Sequence, residues 1–467
     1  MKASDRPNIL FIMSDDHAAH AISAYGSRIN RTPQIDRIAE GGVRLNHCYC
    51  TNSICTPSRA SILTGQHGHV NGVRTLGDRI DGRNPILMQK LFQKAGYQTA
   101  IVGKWHLGHG GNADPTGFDY WNILPGQGLY HNPVLYEMGE EKTYPGYVSE
   151  IITDLTLDWL ERREADRPFL LFCHHKAPHR PWQPGENYAG LYADHDIPMP
   201  ETLWDDYATR SEAAREAKMR MEDLTETDLK GLPPEGLSFE EERRWRYQRY
   251  IKDYLRCCAS IDDSVGRILD YLDAHGLADN TLVVYTSDQG FFLGDHGWFD
   301  KRFMYEQSLR MPFVARYPNE IPAGSVCEDI LTNNDFAPTF LDYAGLPAPP
   351  EMQGVSGRAV LRGEAPADWQ QSLYYRYWMH KDIDHNAYSH YGVRTRNYKL
   401  IYYYGKGLGC TGSSDEETDP EWELFDLEKD PLELKNVYSD PAYAEVVKEL
   451  TAELDNLQRE AGDVPEH

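Results

Sequence analysis

Asn8-Ile9-Leu10-Phe11-Ile12-Met13-Ser14 carries no charge and runs directly into Asp15-Asp16. A short unbroken apolar run of this kind reads as a strand buried on both faces, as in parallel sheets covered by helices. Three more runs share the texture: Thr99 to Val102, Phe169 to Cys173 and Thr281 to Ser287. Helix-like segments lie between them, among them Ile86 to Ala95 and Ser149 to Arg163. Strands alternating with helices over this length predict an α/β domain around a large, mostly parallel sheet. Each run ends in polar residues: Asp15-Asp16, Lys104 with His106, His174-His175 with His179, and Asp288-Gln289. Open α/β sheets bind ligands beyond the carboxyl ends of their strands. Four such ends bearing carboxylates, histidines and a lysine therefore predict one shared site.

A chain of 467 residues exceeds one ordinary small domain, so one large and one smaller domain are expected. Pro347, Pro349, Pro350 and Gly354 mark a linker-like stretch. Beyond it, strand-like Ser372 to Trp378 and Tyr398 to Tyr404 precede a helix from Tyr443 to Glu460. The expected division is a catalytic α/β domain over 1–345 and a small α+β domain over 346–467. Pro198 to Arg256 reads as a charged, helix-rich insertion, a solvated face or lid without chemistry. Leu155 and Trp159, and Ile268, Tyr271 and Leu272, mark two helices that cover the sheet, and Gly407 to Asp419 reads as a mobile loop.

Hydrophobic content of 40% and aromatic content of 12% suffice for a packed core and argue against disorder. A formal charge of −25 disfavours nucleic acid and anionic membranes as partners. A small anionic substrate stays compatible where a pocket concentrates cations. No apolar run approaches the ~20 residues of a membrane span. Met1 to Pro7 has no apolar signal core, so a cytoplasmic protein is expected, or a periplasmic one had a signal been trimmed. The oligomeric state is not set by the sequence.

The eight cysteines show neither a disulfide framework nor paired zinc spacing; Cys48, Cys50, Cys257 and Cys258 read as free thiols of a reducing compartment, with metal binding the lesser alternative. Cys55-Thr56-Pro57-Ser58-Arg59 continues into Ala60-Ser61-Ile62-Leu63-Thr64-Gly65, a helix ending at a glycine. A thiol beside a cation near a helix start favours its anion and is a candidate nucleophile; a lone cysteine reads as well as a buried residue at a turn. Asp15, Asp16, Asp288 and Gln289 offer hard oxygen ligands, suited to calcium or magnesium rather than zinc. One Asp-Asp pair alone would be a turn or cap; two acidic pairs, each directly after an apolar strand, point to a metal.

Taken together, the strings resemble those of the type I, formylglycine-dependent sulfatases of the alkaline phosphatase superfamily. The resemblance rests on the Cys55–Gly65 string, Gly103-Lys104-Trp105-His106-Leu107-Gly108, Ala177-Pro178-His179-Arg180-Pro181-Trp182, Ser287-Asp288-Gln289-Gly290 and Asp300-Lys301-Arg302. Asn334-Asp335-Phe336-Ala337-Pro338-Thr339 and Trp422-Glu423-Leu424-Phe425-Asp426-Leu427 look like later family landmarks, so the likeness covers nearly the whole chain. Gln289 stands where the family often has Asn or His.

The resemblance implies an alkaline-phosphatase-like fold and a Cys55 oxidised to formylglycine by a maturation enzyme. It implies calcium held by Asp15, Asp16, Asp288 and Gln289, with residue 55 facing it. The hydrated aldehyde would attack sulfur. Arg59, Lys104 and Lys301 would neutralise the sulfuryl oxygens, and Asp288 would assist deprotonation. His179 with Lys301 would protonate the leaving oxygen. His106 would deprotonate the second hydroxyl, and its collapse would expel sulfate. His174, His175 and Arg180 have no motif support and read as packing or supporting residues.

The texture is similar to bacterial carbohydrate sulfatases, above all those acting on 6-sulfated glucosamine units. A small sulfated sugar is the expected substrate, with His296, His390, Tyr391 and Arg394 as candidate pocket residues; for His296, His390 and Tyr391 ordinary packing is an equal reading. The rivals are a phosphonate monoester or phosphodiester hydrolase, a choline sulfatase on the same scaffold, and a non-catalytic sulfated-glycan binding protein.

Overall fold

The computed structural model describes residues 6–465; Met1 to Asp5 of the N-terminal reading lie outside the described residues. Ten strands form the main sheet: β1 (Asn8–Ser14), β2 (Val43–Leu45), β3 (Gln98–Lys104), β4 (Tyr120–Leu124), β5 (Val134–Glu137), β6 (Glu140–Thr143), β7 (Phe169–His174), β8 (Thr281–Ser287), β9 (Phe313–Arg316) and β10 (Ser325–Cys327). Their order across the sheet is β10-β2-β9-β8-β1-β7-β3-β4-β5-β6. The five central strands, β8-β1-β7-β3-β4, are all parallel, whereas β9, β5 and β6 run antiparallel to their neighbours. All four apolar runs of the sequence are central strands. β3 and β7 run past the expected ends to take in Lys104 and His174.

Alternation along the buried strands explains why helices cover both faces. Ile9, Phe11, Phe172 and Val284 face α2 (Cys55–Thr64), α3 (Met88–Lys94) and α6 (Phe336–Tyr343). Leu10, Ile12, Leu171 and Val283 face α4 (Val148–Arg162) and α5 (Phe239–Ala274). α1 (Pro33–Glu40) adds Ile35 and Ile38 to this second layer. Among the described residues no helix is long and apolar enough to cross a membrane.

Two sequence expectations are corrected. The insertion does not close at Arg256, because α5 continues unbroken to Ala274 and its second half buries Ile261, Val265, Ile268 and Leu272 under the sheet. Nor is its first part a solvated face. Leu203, Ala213, Ala214, Met219 and Met221 are buried, and Ser211 donates its backbone N–H to Glu423 of the C-terminal region. Charged composition hid this because the charges lie between anchoring apolar residues. The stretch over 407–419 is irregular, as expected, and is pinned by bonds such as Ser414 N–H to His380 O.

The C-terminal region is an antiparallel sheet, β11 (Ser372–Tyr377), β12 (His390–Thr395), β13 (Tyr398–Tyr403) and β14 (Glu421–Asp426), with α7 (Ala444–Ala461) on one face. Tyr374, Val393, Leu400 and Leu424 pack on Leu450 and Leu454 of α7. The opposite face, with Tyr375, Tyr377, Ile401, Tyr403 and Phe425, joins the same core as α2 and β1.

Candidate active site

The carboxyl ends of the parallel strands carry the cluster, as the strand-end reading predicts. Asp15 and Asp16 follow β1, with Asp16 in the left-handed region at φ 71°. Lys104 closes β3, and His106 follows at φ 54°. The β3 end needs Gly103. Its φ is 103°, and a Cβ there would lie 2.0 Å from the His174 carbonyl oxygen of β7. Asp288 and Gln289 follow β8, and His179 hangs from the loop after β7.

α2 presents Cys55 as its first residue and ends at Gly65 in the left-handed conformation. Arg59, one turn on, shares the face of Cys55. Its Nε donates to Asp288 Oδ2 at 2.9 Å and its Nη1 to the Lys104 carbonyl at 2.7 Å. One guanidinium therefore ties α2 to two strand ends. Lys104 pairs with Asp15 and with the side-chain oxygen of Gln127. Lys301 Nζ bridges both Asp16 oxygens at 2.6 and 2.8 Å, and Gln289 also donates to Asp16. His179 Nε2 stands 3.8 Å from Asp16 Oδ2, while its Nδ1 donates to the Arg180 carbonyl at 2.8 Å. His106 Nδ1 is 3.4 Å from Thr56 Oγ1, beside residue 55.

Burial sets the electrostatics. The Cys55 thiol is pushed up to about 11 by desolvation, and Asp288 and Asp16 raise it further against Lys301 and Arg59. The expectation that cation and helix start favour the thiolate is thus corrected: burial outweighs both. Asp16 is raised to about 7, first by burial and then by Asp288 and Asp300, against Lys301. Lys104 is held well below the usual lysine range by burial and Lys176, whereas Lys301, between Asp16 and Asp300, is raised and stays charged. His106 and His179 are both pushed well below the usual histidine range by burial, then by neighbouring cations. Both are neutral imidazoles at neutral pH, and among their neighbours Lys301 is raised and carries a proton.

The residues fit a hard cation. Asp15 Oδ1 and Gln289 Oε1 are buried oxygens without a hydrogen-bond partner. Asp15, Asp16 and His179 present ligand atoms within 4.8 Å of one another, and Asp288 Oδ1 reaches the Asp16 backbone N–H at 3.2 Å. Oxygen donors of this kind suit calcium or magnesium.

The substrate-pocket candidates are not brought to this cluster. His296 is fully buried, 2.9 Å from Asp205 Oδ2 and packed against Trp298 and Tyr305. His390 is fully buried among Phe303, Tyr375, Tyr377 and Tyr403, with Nδ1 donating to the Tyr388 carbonyl. Tyr391 packs with Tyr374, Tyr402 and Tyr404 on the α7 side of the small sheet. Packing is the reading that holds for all three. Arg394 is paired with Glu306 and lines a different cavity. His174, stacked on Phe172, and Arg180, paired with Asp228, serve packing as expected.

Sequence reasoning passed over Gln127 and the group of Asp300, Arg302 and His385. Asp300 and Arg302 flank Lys301 at φ 76° and 93°, left-handed values that non-glycine residues adopt under constraint. His385 Nε2 lies 3.3 Å from Asp300, and Arg302 donates to Tyr377 at 3.1 Å. The sole signal was adjacency to Lys301; backbone strain leaves no mark in residue type.

The sulfatase family profile matches residues 7–346, and that of the N-sulphoglucosamine sulphohydrolase C-terminal region matches 294–460. An N-acetylglucosamine-6-O-sulfatase of Bacteroides thetaiotaomicron is 41% identical over 98% of this chain and 87% of its own length. A solved structure in complex with its substrate D-glucosamine-2-N,6-O-disulfate superposes with a TM-score of 0.90 at 41% identity, over 98% of both chains. The phosphonate monoester hydrolase of Agrobacterium radiobacter shares the fold, with a TM-score of 0.74 at 22% identity over 98% and 96% of the two chains.

Proposed function

The chain belongs to the sulfatase family, and from that premise we propose that it is a sulfuric ester hydrolase acting on a 6-sulfated glucosamine unit. The observation that carries this reading is the meeting, at one sheet edge, of residue 55, four oxygen-bearing side chains and three basic side chains. The substrate class is supported by the relative that shares 41% identity over nearly the whole chain.

A formylglycine at position 55, as its hydrate, would supply two hydroxyls on one carbon, one to attack and one whose deprotonation expels the sulfate, an exit that a thiol lacks. Cys55 is 1% exposed on a helix buried along its whole length, so its oxidation by a maturation enzyme has to precede folding. Asp15, Asp16, Asp288 and Gln289 would hold calcium, which supplies Lewis-acid polarisation of a sulfuryl oxygen. Arg59 fixes Asp288 beside residue 55, where the carboxylate accepts a proton from the attacking group. Lys104 and Lys301 offset charge building on the sulfuryl oxygens. Lys301 and His179 meet at Asp16, where Lys301 holds a proton that the two together would deliver to the leaving oxygen. Neutral His106, next to Thr56, is a base on the other side of residue 55.

Two measurements test the reading. Protein made with a maturation enzyme should release sulfate from glucosamine 6-sulfate, and the peptide carrying residue 55 should show the aldehyde mass. Turnover dominated by a phosphodiester or phosphonate ester would sink the sulfatase assignment. Chelation with EGTA should abolish turnover and lower the melting temperature, and calcium should restore both; a cation present at 100 times its Kd contributes about 2.7 kcal/mol.

A further inference from the structure

Apart from the catalytic cluster, a cavity of about 420 Å³ is lined by His20, His47, Glu306, Arg310, Arg394 and Arg396 among others, and by none of the catalytic or cation-binding residues. Three guanidiniums around one space are unusual on a chain of charge −25. The acids beside them are already engaged. Glu306 Oε1 is shared between Arg394 Nε at 3.2 Å and Lys399 Nζ at 2.9 Å, and Asp295 is 3.2 Å from His20. Arg310 and Arg396 make no side-chain hydrogen bond or ion pair among the described residues. Arg394 is 4% exposed, lies over the Tyr49 ring at 4.7 Å, and keeps Nη1 without a partner. A buried guanidinium N–H without an acceptor is costly unless a ligand supplies one.

We infer that this cavity is a second anion site, holding the sulfate group of a sulfated sugar unit other than the one being hydrolysed. Paired N–H donors of arginine match the oxygens of a tetrahedral or planar anion. Positive charge inside a concave wall concentrates such anions even on an acidic protein. The volume lies in the range of small-ligand pockets, ample for a sugar ring in addition to the sulfate. The anion site rests on its own lining, and the identity of the anion as a sugar sulfate rests on the proposed function.

The test uses the full chain with Cys55→Ala, so that no ligand is turned over, titrated calorimetrically with glucosamine 6-sulfate, sodium sulfate and N-acetylglucosamine. A binding event for glucosamine 6-sulfate should weaken roughly tenfold for each guanidinium removed, in Arg310→Ala and in Arg310→Ala/Arg396→Ala. Arg396 is exposed, so Arg396→Glu alone gives the same reading should the double variant misfold. Competition by sodium sulfate for that event shows that the guanidiniums read the oxyanion itself; its failure shows that the sugar ring is needed as well, and either result upholds the site. The catalytic cluster keeps its own binding event in all of these variants; a glucosamine 6-sulfate isotherm whose stoichiometry and affinities none of them alters, or equal binding of N-acetylglucosamine, overturns the second site.

Discussion

Arg59 and Asp288 are 2% and 0% exposed, and each is the other's main compensation. Arg59→Ala would strand a buried carboxylate at a cost of about 3–5 kcal/mol, so it is expected to lose folded protein together with activity. His179 lies at the cluster's margin, 13% exposed. His179→Asn should therefore lower kcat by roughly 10²–10⁴-fold while the melting temperature stays within a degree or two. A parallel fall in stability would make His179 a packing residue. His385 offers a pH test on a different footing. Its pKa is raised on balance: burial and Arg302 push it down, and Asp300 and Asp382, at 3.3 and 2.9 Å, push it up by more. A raised histidine stabilises the fold fully below its unfolded pKa of about 6.5, and the contribution is lost as pH rises through the folded value. The melting-temperature gap between the native protein and His385→Asn should thus be widest near pH 6 and narrow towards pH 9. A gap independent of pH would show that the imidazole is not charged there.

Among the elements, β3 shows how a strand delivers a side chain to the candidate site. Gly103 lets β3 and β7 approach at the point where Lys104 leaves the sheet, since a Cβ would meet the His174 carbonyl at 2.0 Å. Gly103→Ala must move a backbone carbonyl and hold alanine at a strongly positive φ, which should cost about 2–4 kcal/mol and displace Lys104. Thermal melts and sulfate release together check this; an alanine variant of native stability and rate would refute it. The strand ends were legible because a fully buried strand leaves a run of apolar residues that stops abruptly at its polar end. β1 with Asp15-Asp16 and β8 with Asp288-Gln289 are read from that boundary alone. For His390 and His296 the sequence leaves packing and pocket as equal readings, for the opposite reason. A histidine in an aromatic core and a histidine in a pocket have the same neighbours in sequence, and only the fold distinguishes Phe303 and Tyr403 stacked around the ring from open space. Asp300 and Arg302 were passed over because their left-handed backbone is set by the turn around Lys301, not by residue type.

For the whole molecule, the composition changes near residue 346 and the antiparallel sheet begins at Ser372, yet the packing does not stop between the two regions. β11, β13 and β14 turn Leu373, Tyr375, Tyr377, Ile401, Tyr403 and Phe425 into the core that also holds Phe303, Tyr305 and α2. Polar contacts cross the same boundary. The Tyr375 hydroxyl accepts from the Ser53 backbone two residues before Cys55, and Glu423 accepts from the Tyr305 hydroxyl at 2.8 Å. Exposing six large apolar side chains at about 1.5–3 kcal/mol each costs on the order of 10 kcal/mol, comparable to the 5–15 kcal/mol of net stability typical of a folded protein. A chain ending at residue 345 is therefore expected to be insoluble or molten, with no cooperative melt by circular dichroism and no sulfate release. Co-expression with residues 346–467 should restore a soluble complex to the extent that the two pieces find the shared core. A soluble, cooperatively melting 1–345 fragment would show instead that the C-terminal sheet is an accessory domain, and that the loop leading into Cys55 keeps its place without Tyr375.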